Sequence, residues 1–247
     1  VFRVDAYRVL GDNYGSLYGL MDIRGISPLF MAGPHEIIQR ELINPLAWEL
    51  FAVRYVYTDW EALPVASVVV GEGEDRFGVV RMHLLEDPRP FALVLYQAEV
   101  IAHPQIALNR LTEADFAARS TVLLENDPGI TLDPAGSQGT AAVIEFLPEN
   151  INIQVNSSAP GILSVAMPYY PGWEASLNGA SVPILKAYTA LMAIPIPAGE
   201  SQITLRYNPS TYRIGGWMSV IAWLTLGLGA AIPALKRLRR TRAAHKY

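Results

Sequence analysis

Three aromatic residues form the strongest candidate ligand site in the sequence. Tyr169, Tyr170 and Trp173 lie within the segment MPYYPGWEASLNG. Flat aromatic rings stack on the C–H faces of sugars, and tyrosine hydroxyls can form hydrogen bonds with sugar hydroxyls. In the alternative interpretation Trp173 is a core residue, with Pro171 and Gly172 shaping the entry into a strand, since core aromatics are common in β-sandwiches. The residue types favour the structural role and leave the sugar platform open.

A charged pair forms the second candidate site. Asp22 and Arg24 lie in the segment GLMDIRG, and Asp12 and Asn13 precede them in a glycine-rich setting. A guanidinium binds a phosphate through two parallel hydrogen bonds, so Arg24 could hold a lipid phosphate while Asp22 orients it. An Asp–Arg pair that only fixes a loop is the commoner arrangement, because structural ion pairs are ordinary.

The sequence contains no recognisable catalytic or metal-binding motif. Its histidines, His35, His83, His103 and His245, have no metal-ligand spacing, and the chain has no cysteine. Nucleophile motifs such as GxSxG or SxxK are missing, as is a phosphate-binding glycine loop. We therefore assign no catalytic residue, no metal and no cofactor to this chain.

Short strands are the main elements that must position the candidate sites. Segment 33–60 predicts two helices followed by a strand, because Pro34 and Pro45 each stand where a helix can begin. From Val65 onward, short apolar or alternating runs are separated by Gly, Pro, Asn and Asp. This pattern is typical of a β-sandwich or a β-barrel.

Two connections predict hairpins within this β-rich part. Asn178-Gly179, between WEASL and SVPIL, supplies the positive φ angles of a tight turn, and residues 197–200 connect LMAIPI to QITLRY. We therefore predict a mainly β fold. A small mixed α/β segment at 1–60 leads into an extracytoplasmic, β-sandwich-like domain at 65–210, with a possible boundary near 127–140.

The C-terminal segment predicts a membrane anchor. Residues 215–235 form an uncharged run, which at a helical rise of about 1.5 Å per residue spans roughly 31 Å, close to the hydrocarbon core of a bilayer. Residues 236–247 contain six Lys and Arg and no acidic residue. Short basic flanks stay on the cytoplasmic side. We expect a transmembrane helix at 215–235, a cytoplasmic tail at 236–247 and an extracytoplasmic position for residues 1–214, whereas a buried core helix is the alternative.

The charge distribution excludes one class of partner. The chain carries 19 Lys and Arg against 23 Asp and Glu. Six of the basic residues belong to the tail, so the remaining chain has 13 basic against 23 acidic residues. Nucleic acids are bound by clustered Lys and Arg, so we exclude nucleic acid as a partner. The basic tail instead predicts contact with the lipid bilayer.

The N-terminus predicts that more chain precedes it. The first residue is Val1, and no charged segment followed by an apolar stretch opens the sequence. A domain placed outside the cytoplasm needs such a signal or earlier membrane spans. We expect this chain to be the C-terminal part of a longer protein, with a truncated gene product as the alternative.

Several segments together resemble the C-terminal region of bacterial YfhO-like proteins. They are PGWEASLNG (171–179), PAGESQITLRYNPSTYRIGGWMS (197–219), RVDAYRVLGDNYGSLYGLMDIRGISPL (3–29) and WELFAVRYVYTD (48–59). YfhO-like proteins are polytopic membrane proteins similar to the GT-C glycosyltransferases, which use lipid-phosphate sugar donors. The resemblance implies an extracytoplasmic β-rich domain that closes a bundle of membrane helices.

The resemblance also implies partners and a limit on activity. The expected partners are the upstream transmembrane helices of the parent protein and a glycan or polyprenyl-phosphate sugar. In GT-C enzymes the catalytic carboxylate lies in an early extracytoplasmic loop, and no position of this chain corresponds to it. We therefore expect no sugar transfer by this chain alone, although the parent could be a glycosyltransferase.

Two functions remain open from the sequence. The preferred function is an accessory domain, with the last membrane span, of a membrane glycosyltransferase-like protein of the bacterial cell envelope. The alternative is a single-pass, membrane-anchored module that binds carbohydrate or protein and has no enzymatic activity.

Overall fold

The computed structural model describes residues 1–6, 14–24, 30–40, 44–75 and 78–244. The chain divides into two compact units, Val1–Arg206 and Tyr207–Tyr247, and each is described by itself. The elements follow the chain in this order: β1 (Arg3–Asp5), α1 (Tyr14–Leu17), α2 (Ala32–Ile38), α3 (Pro45–Leu50), β2 (Val53–Thr58), β3 (Ser67–Asp75), β4 (Gly78–Leu85), β5 (Ala92–Leu95), β6 (Gln97–Val100), α4 (Pro104–Arg110), β7 (Thr121–Leu124), β8 (Gly139–Leu147), β9 (Asn150–Ser157), β10 (Gly161–Pro168), β11 (Trp173–Leu177), β12 (Ala180–Val182), β13 (Leu185–Ala187), β14 (Leu191–Ile196), β15 (Gly199–Tyr207) and α5 (Ser210–Ala244).

A six-stranded sheet lies at the centre of the first unit, with the strand order β5-β10-β14-β13-β7-β6. One of its faces packs on a core cluster that includes residues of α2, α3 and α4, among them Ile37, Leu50 and Leu108. Its other face packs on a second cluster shared with β9 and β15. Because both faces are covered, β10 and β14 contain nearly continuous apolar runs, GILSVA and LMAI, instead of an alternation.

A five-stranded sheet, in the order β12-β11-β15-β9-β8, covers the second face. Along β9 the buried residues Ile151, Ile153 and Val155 alternate with exposed or half-buried polar residues. Ile203 and Leu205 of β15 are buried in the same core. Side chains of a strand point alternately to its two faces, so this sheet has one apolar inner face and one polar outer face. The predicted mainly β fold is confirmed, and two of its sheets share one core.

The two predicted hairpins have different outcomes. Asn178 and Gly179 do turn the chain between β11 and β12, with φ angles of 50° and 84°, so this prediction is confirmed. Residues 197–200 do not form a hairpin, because β14 lies in the six-stranded sheet and β15 in the five-stranded sheet. Both strands bury apolar side chains in the one core between these sheets, and the connection therefore crosses from one sheet to the other.

A smaller sheet, in the order β1-β2-β4-β3, completes the first unit. β1 runs parallel to β2, whereas β2, β4 and β3 are antiparallel neighbours. Trp48 of α3 packs with Val53, Val56 and Leu85 of this sheet in a separate small core. The predicted pair of helices followed by a strand in 33–60 is confirmed by α2, α3 and β2.

The second unit contains helix α5 and contradicts the predicted transmembrane helix at 215–235. In the described part of the chain, no helix combines the length and the apolar character that crossing a membrane requires. Small and polar residues interrupt the apolar ones in α5, namely Gly215, Gly216, Ser219, Thr225, Gly227 and Gly229. The prediction of a C-terminal transmembrane helix is therefore wrong. The last residues of the predicted cytoplasmic tail, 245–247, lie outside the described part.

Gly33 is required where α2 approaches the turn at 188–189. Tyr188 and Thr189 both have positive φ angles, 50° and 61°, and a Cβ on Gly33 would overlap the carbonyl oxygen of Thr189. Alanine favours a helix by up to about 1 kcal/mol over glycine. Overlap with a backbone atom outweighs this gain, so Gly33→Ala should lower the free energy of unfolding by about 1–3 kcal/mol.

Urea denaturation of purified protein measures this loss. Gly73→Ala is the matched control, because a Cβ at Gly73 meets no atom within 4 Å, and its effect should stay within about 0.5 kcal/mol. Equal stability of Gly33→Ala and the parent protein would show that the turn at 188–189 yields without strain.

Candidate functional site

The three aromatic residues of the first candidate site lie where the chain passes from β10 to β11. Tyr169 and Tyr170 are 39% and 49% exposed, whereas Trp173 is partly buried and packs against the core between the two large sheets. The Tyr169 backbone N–H donates to Ala190 O at 2.8 Å, and Gly172 turns the chain with a φ of 105°. The structure thus exposes the two tyrosines and directs Trp173 toward the core. Their predicted role in sugar binding stays a prediction.

Arg24 of the second candidate site is bound to Asp5. Arg24 Nε donates to Asp5 Oδ1 at 2.7 Å, and Trp48 Nε1 donates to Asp5 Oδ2 at 2.7 Å. The side chains of Arg24 and Asp5 are 11% and 1% exposed. This buried ion pair joins β1 to the segment that contains Arg24 and to α3. Asp12 and Asn13 lie outside the described residues.

Asp22 contacts backbone groups near it in the structure. Its Oδ1 atom accepts the backbone N–H groups of Arg24 at 2.9 Å and of Ala6 at 3.4 Å. Burial raises the pKa of the Asp22 carboxyl from 3.8 to about 6, and the charge of Asp5 adds to this effect, although the two N–H groups oppose it. Asp22 therefore fixes the loop through backbone contacts. Phosphate binding by Arg24 remains a prediction.

Asp22→Asn should remove the loss of folding stability that the buried Asp22 carboxyl causes when it is ionised. Because the folded-state pKa is raised, the stability that Asp22 contributes is present below about pH 4 and is lost as the pH rises through about 6. Asparagine keeps the Oδ1 acceptor and carries no charge. We expect Asp22→Asn to melt at a higher temperature than the parent protein at pH 7.5 and to lose this advantage at pH 4. Melting curves at both pH values measure the difference, and an equal gain at pH 4 would contradict it.

A partly buried cluster around Arg89 and Arg119, which the sequence did not reveal, connects α3 to the six-stranded sheet. Arg119 donates through Nε and Nη2 to the two carboxylate oxygens of Glu49, at 2.7 and 2.9 Å. Arg89, which is 2% exposed, donates through Nη2 to Ser164 Oγ at 3.1 Å and to Tyr188 OH at 3.2 Å. A cavity of about 160 Å³ lies beside Glu49, Arg89 and Arg119. Arg119 Nη1 also donates to Asp87 Oδ2 at 2.6 Å, so two arginines face two carboxylates here and the cavity does not favour a charged ligand.

The outer face of the five-stranded sheet carries a groove of about 390 Å³ that is lined largely by amides. Asn152 and Gln154 of β9, Gln202 of β15 and Asn178 of the β11–β12 turn contribute to it. The signal for this face was present in the segment NINIQVN, where an amide occupies every second position of a strand. Among the described residues, no group of three or more His, Asp or Glu side chains could hold a metal ion.

The first unit is thus a mainly β domain with two large sheets over a shared core and a polar outer face. Residues 137–219 of the chain match the family described as bacterial membrane protein YfhO. The matched range contains every strand of the five-stranded sheet, together with Tyr169, Tyr170 and Trp173. The predicted resemblance to YfhO is confirmed for this range. Comparisons with curated proteins and with solved structures gave no match.

Proposed function

We propose that this chain is an accessory, glycan-handling part of a bacterial membrane protein of the YfhO kind. Its β-rich domain lies outside the cytoplasm, and the chain has no sugar-transfer activity of its own. One observation supports the proposal above all others. The YfhO match contains every strand of the five-stranded sheet, together with β10, β13 and β14 of the six-stranded sheet, and the matched range includes the polar outer face and the exposed Tyr169 and Tyr170.

Electrostatics and family resemblance add to this support. The chain outside the basic tail is acidic, with 13 basic against 23 acidic residues, which disfavours nucleic acid and other polyanions as partners. The YfhO description as a bacterial membrane protein supports a membrane association. In the GT-C enzymes to which YfhO-like proteins are similar, catalysis depends on a carboxylate to which no position of this chain corresponds.

Glycan retention by the full chain tests this function. The purified protein is passed over isolated bacterial cell-envelope glycans immobilised on beads, and in parallel it is incubated with a polyprenyl-phosphate sugar donor and the same glycans. We expect retention on the beads and no sugar transfer. Absence of retention would contradict glycan handling, and measurable transfer would contradict the accessory role and direct attention to Asp5 and Asp22.

The proposed location has a direct chemical test, because the chain has no native cysteine. A single cysteine is introduced at the exposed residue Thr140, on the outer face of the five-stranded sheet. In cells that express the protein from its own gene, a membrane-impermeant maleimide should label Thr140→Cys before lysis. Labelling only after lysis would place the domain on the cytoplasmic side.

A further inference from the structure

The amide groove crosses four strands of the five-stranded sheet. It extends from Ile144 on β8, across β9 and β15, to Asn178 at the end of β11. Three strand spacings of about 4.8 Å give a length of roughly 14 Å. Its volume of about 390 Å³ is in the range of sites for small molecules. The groove is therefore long enough to hold an extended ligand that lies across the strands.

The lining of the groove selects against charged ligands and in favour of hydroxyl-rich ones. Each Asn or Gln amide offers two donors and an acceptor, so amides complement hydroxyl groups, which also donate and accept. Glu200, on β15, adds a carboxylate that only accepts, and no Lys or Arg contributes to the described lining. A phosphate or carboxylate ligand would meet no cation there. Ile144, 66% exposed, offers one apolar contact.

Hydrogen bonds fix the rim of the groove. Asn152 Oδ1 accepts from Thr204 Oγ1 at 2.7 Å, and Asn152 Nδ2 donates to Glu145 Oε2 at 2.6 Å. The Gln202 backbone N–H donates to Asn178 Oδ1 at 2.8 Å. These contacts hold the two asparagine side chains in one orientation each, which lowers the entropy cost of binding.

Two glutamines at the centre of the groove have amides available for a ligand. Gln154 and Gln202 are exposed and stand directly opposite each other in the register of β9 and β15. Within the described part of the chain, neither side-chain amide has a hydrogen-bond partner. Side chains in such directly opposite positions lie about 4.5–5.5 Å apart at Cβ, so the two amides can bind neighbouring groups of one ligand.

We propose that this groove binds a neutral, hydroxyl-rich oligosaccharide, with Gln154 and Gln202 as its central hydrogen-bonding residues. The inference rests on the proposed glycan-handling function and names its site and ligand class. Tyr169 and Tyr170 lie in the β10–β11 connection and are not part of the groove lining. Binding occurs through hydroxyl groups on the polar sheet face and does not require an aromatic platform.

A double variant of the two glutamines tests the groove. The probes are cellohexaose, chitohexaose and a phosphorylated hexasaccharide, each titrated by calorimetry into the full chain. At least one neutral hexasaccharide should bind, and Gln154→Ala/Gln202→Ala should weaken it by about tenfold or more, because two hydrogen-bonding groups are lost. The control is Gln105→Ala/Gln138→Ala, the same change at two exposed glutamines outside the groove. Both double variants should melt within about 2 °C of the parent protein, since all four residues are on the surface.

The possible results separate this inference from the function on which it rests. If the unsubstituted chain is retained on envelope glycans and the groove variant is retained equally well, the groove is not the binding site. That result would leave the proposed function standing. If the unsubstituted chain is itself not retained, both the proposed function and the groove as its binding site are overturned. Binding of the phosphorylated probe alone would overturn the ligand class. A dimer that disappears in the groove variant, detected by light scattering, would show that a second copy of the chain occupies the face.

Discussion

Replacing Asp5 with alanine is expected to lower the free energy of unfolding by about 3–5 kcal/mol, the effect of removing one partner from a buried ion pair. The Asp5 carboxylate is 1% exposed and accepts from both Arg24 Nε and Trp48 Nε1 at 2.7 Å. Its removal leaves the charge of Arg24 in a site that was built around a carboxylate. Three parts of the chain, β1, the segment around Arg24 and α3, lose the group on which they converge.

Glu72→Ala is the matched control for Asp5→Ala. Glu72 accepts from Arg81 Nε at 2.8 Å, nearly the same distance, but its side chain is 57% exposed. Exposed ion pairs contribute about 0–1 kcal/mol because water screens them. Urea unfolding curves measure the loss of stability in each variant. Because the two ion pairs have nearly the same length, the difference between the two losses reports the effect of burial. Equal losses of stability in the two variants would show that the buried Asp5–Arg24 pair contributes no more than an exposed ion pair.

Replacing Trp173 with alanine is expected to cost about 3 kcal/mol, the lower end for truncation of an aromatic residue, because the ring is partly buried. Trp173 packs against the core between the two large sheets, beside residues such as Ala175 and Leu177 of its own strand. The loss should appear in thermal and urea unfolding alike. An exposed sugar platform would instead leave stability nearly unchanged and remove only glycan retention.

Tyr170→Ala provides the comparison within the same segment. Tyr170 is 49% exposed, so this change should cost about 1 kcal/mol or less. If Tyr170→Ala reduces retention on envelope glycans and Trp173→Ala reduces stability, the aromatic segment divides into a binding part and a core part. A Trp173→Ala protein that melts like the parent would reverse the structural interpretation of Trp173.

The two faces of the five-stranded sheet explain how one element can serve both stability and binding. Buried Ile151, Ile153, Ile203 and Leu205 are largely responsible for holding the sheet on its neighbour. Each strand turns its alternate residues outward, so changes at Gln154 or Gln202 do not disturb the core. We therefore expect the groove to tolerate substitutions that alter its ligand without loss of the fold.

Local patterns in the sequence determined several features of this protein. The alternation along NINIQVN determined a strand with one buried face, and Asn178-Gly179 determined a tight turn, because both depend on residues close together in the chain. Proline at the first helical turn likewise predicted α3, which begins at Pro45. The family resemblance at 137–219 was also visible in the sequence.

Local sequence patterns did not predict the character of the C-terminal helix correctly. The run 215–235 has no charged residue and a suitable length, and a basic segment follows it. These three properties predicted a transmembrane helix. The structure does form a helix there, α5, but in its described part the apolar character is too low for crossing a membrane. Absence of charge is a weaker condition than high hydrophobicity.

Only the tertiary structure decided which distant residues meet. Arg24 has Asp22 two positions away, yet its Nε donates to Asp5, since a local bridge places the segment of Asp22 beside β1. Gln154 and Gln202 stand opposite each other because β9 and β15 pair in one register out of many possible ones. That register is set by the burial of apolar side chains between two sheets, and a slip by one residue would turn them all to the solvent. Such pairings depend on the packing of the whole domain, which periodicity along one segment does not contain.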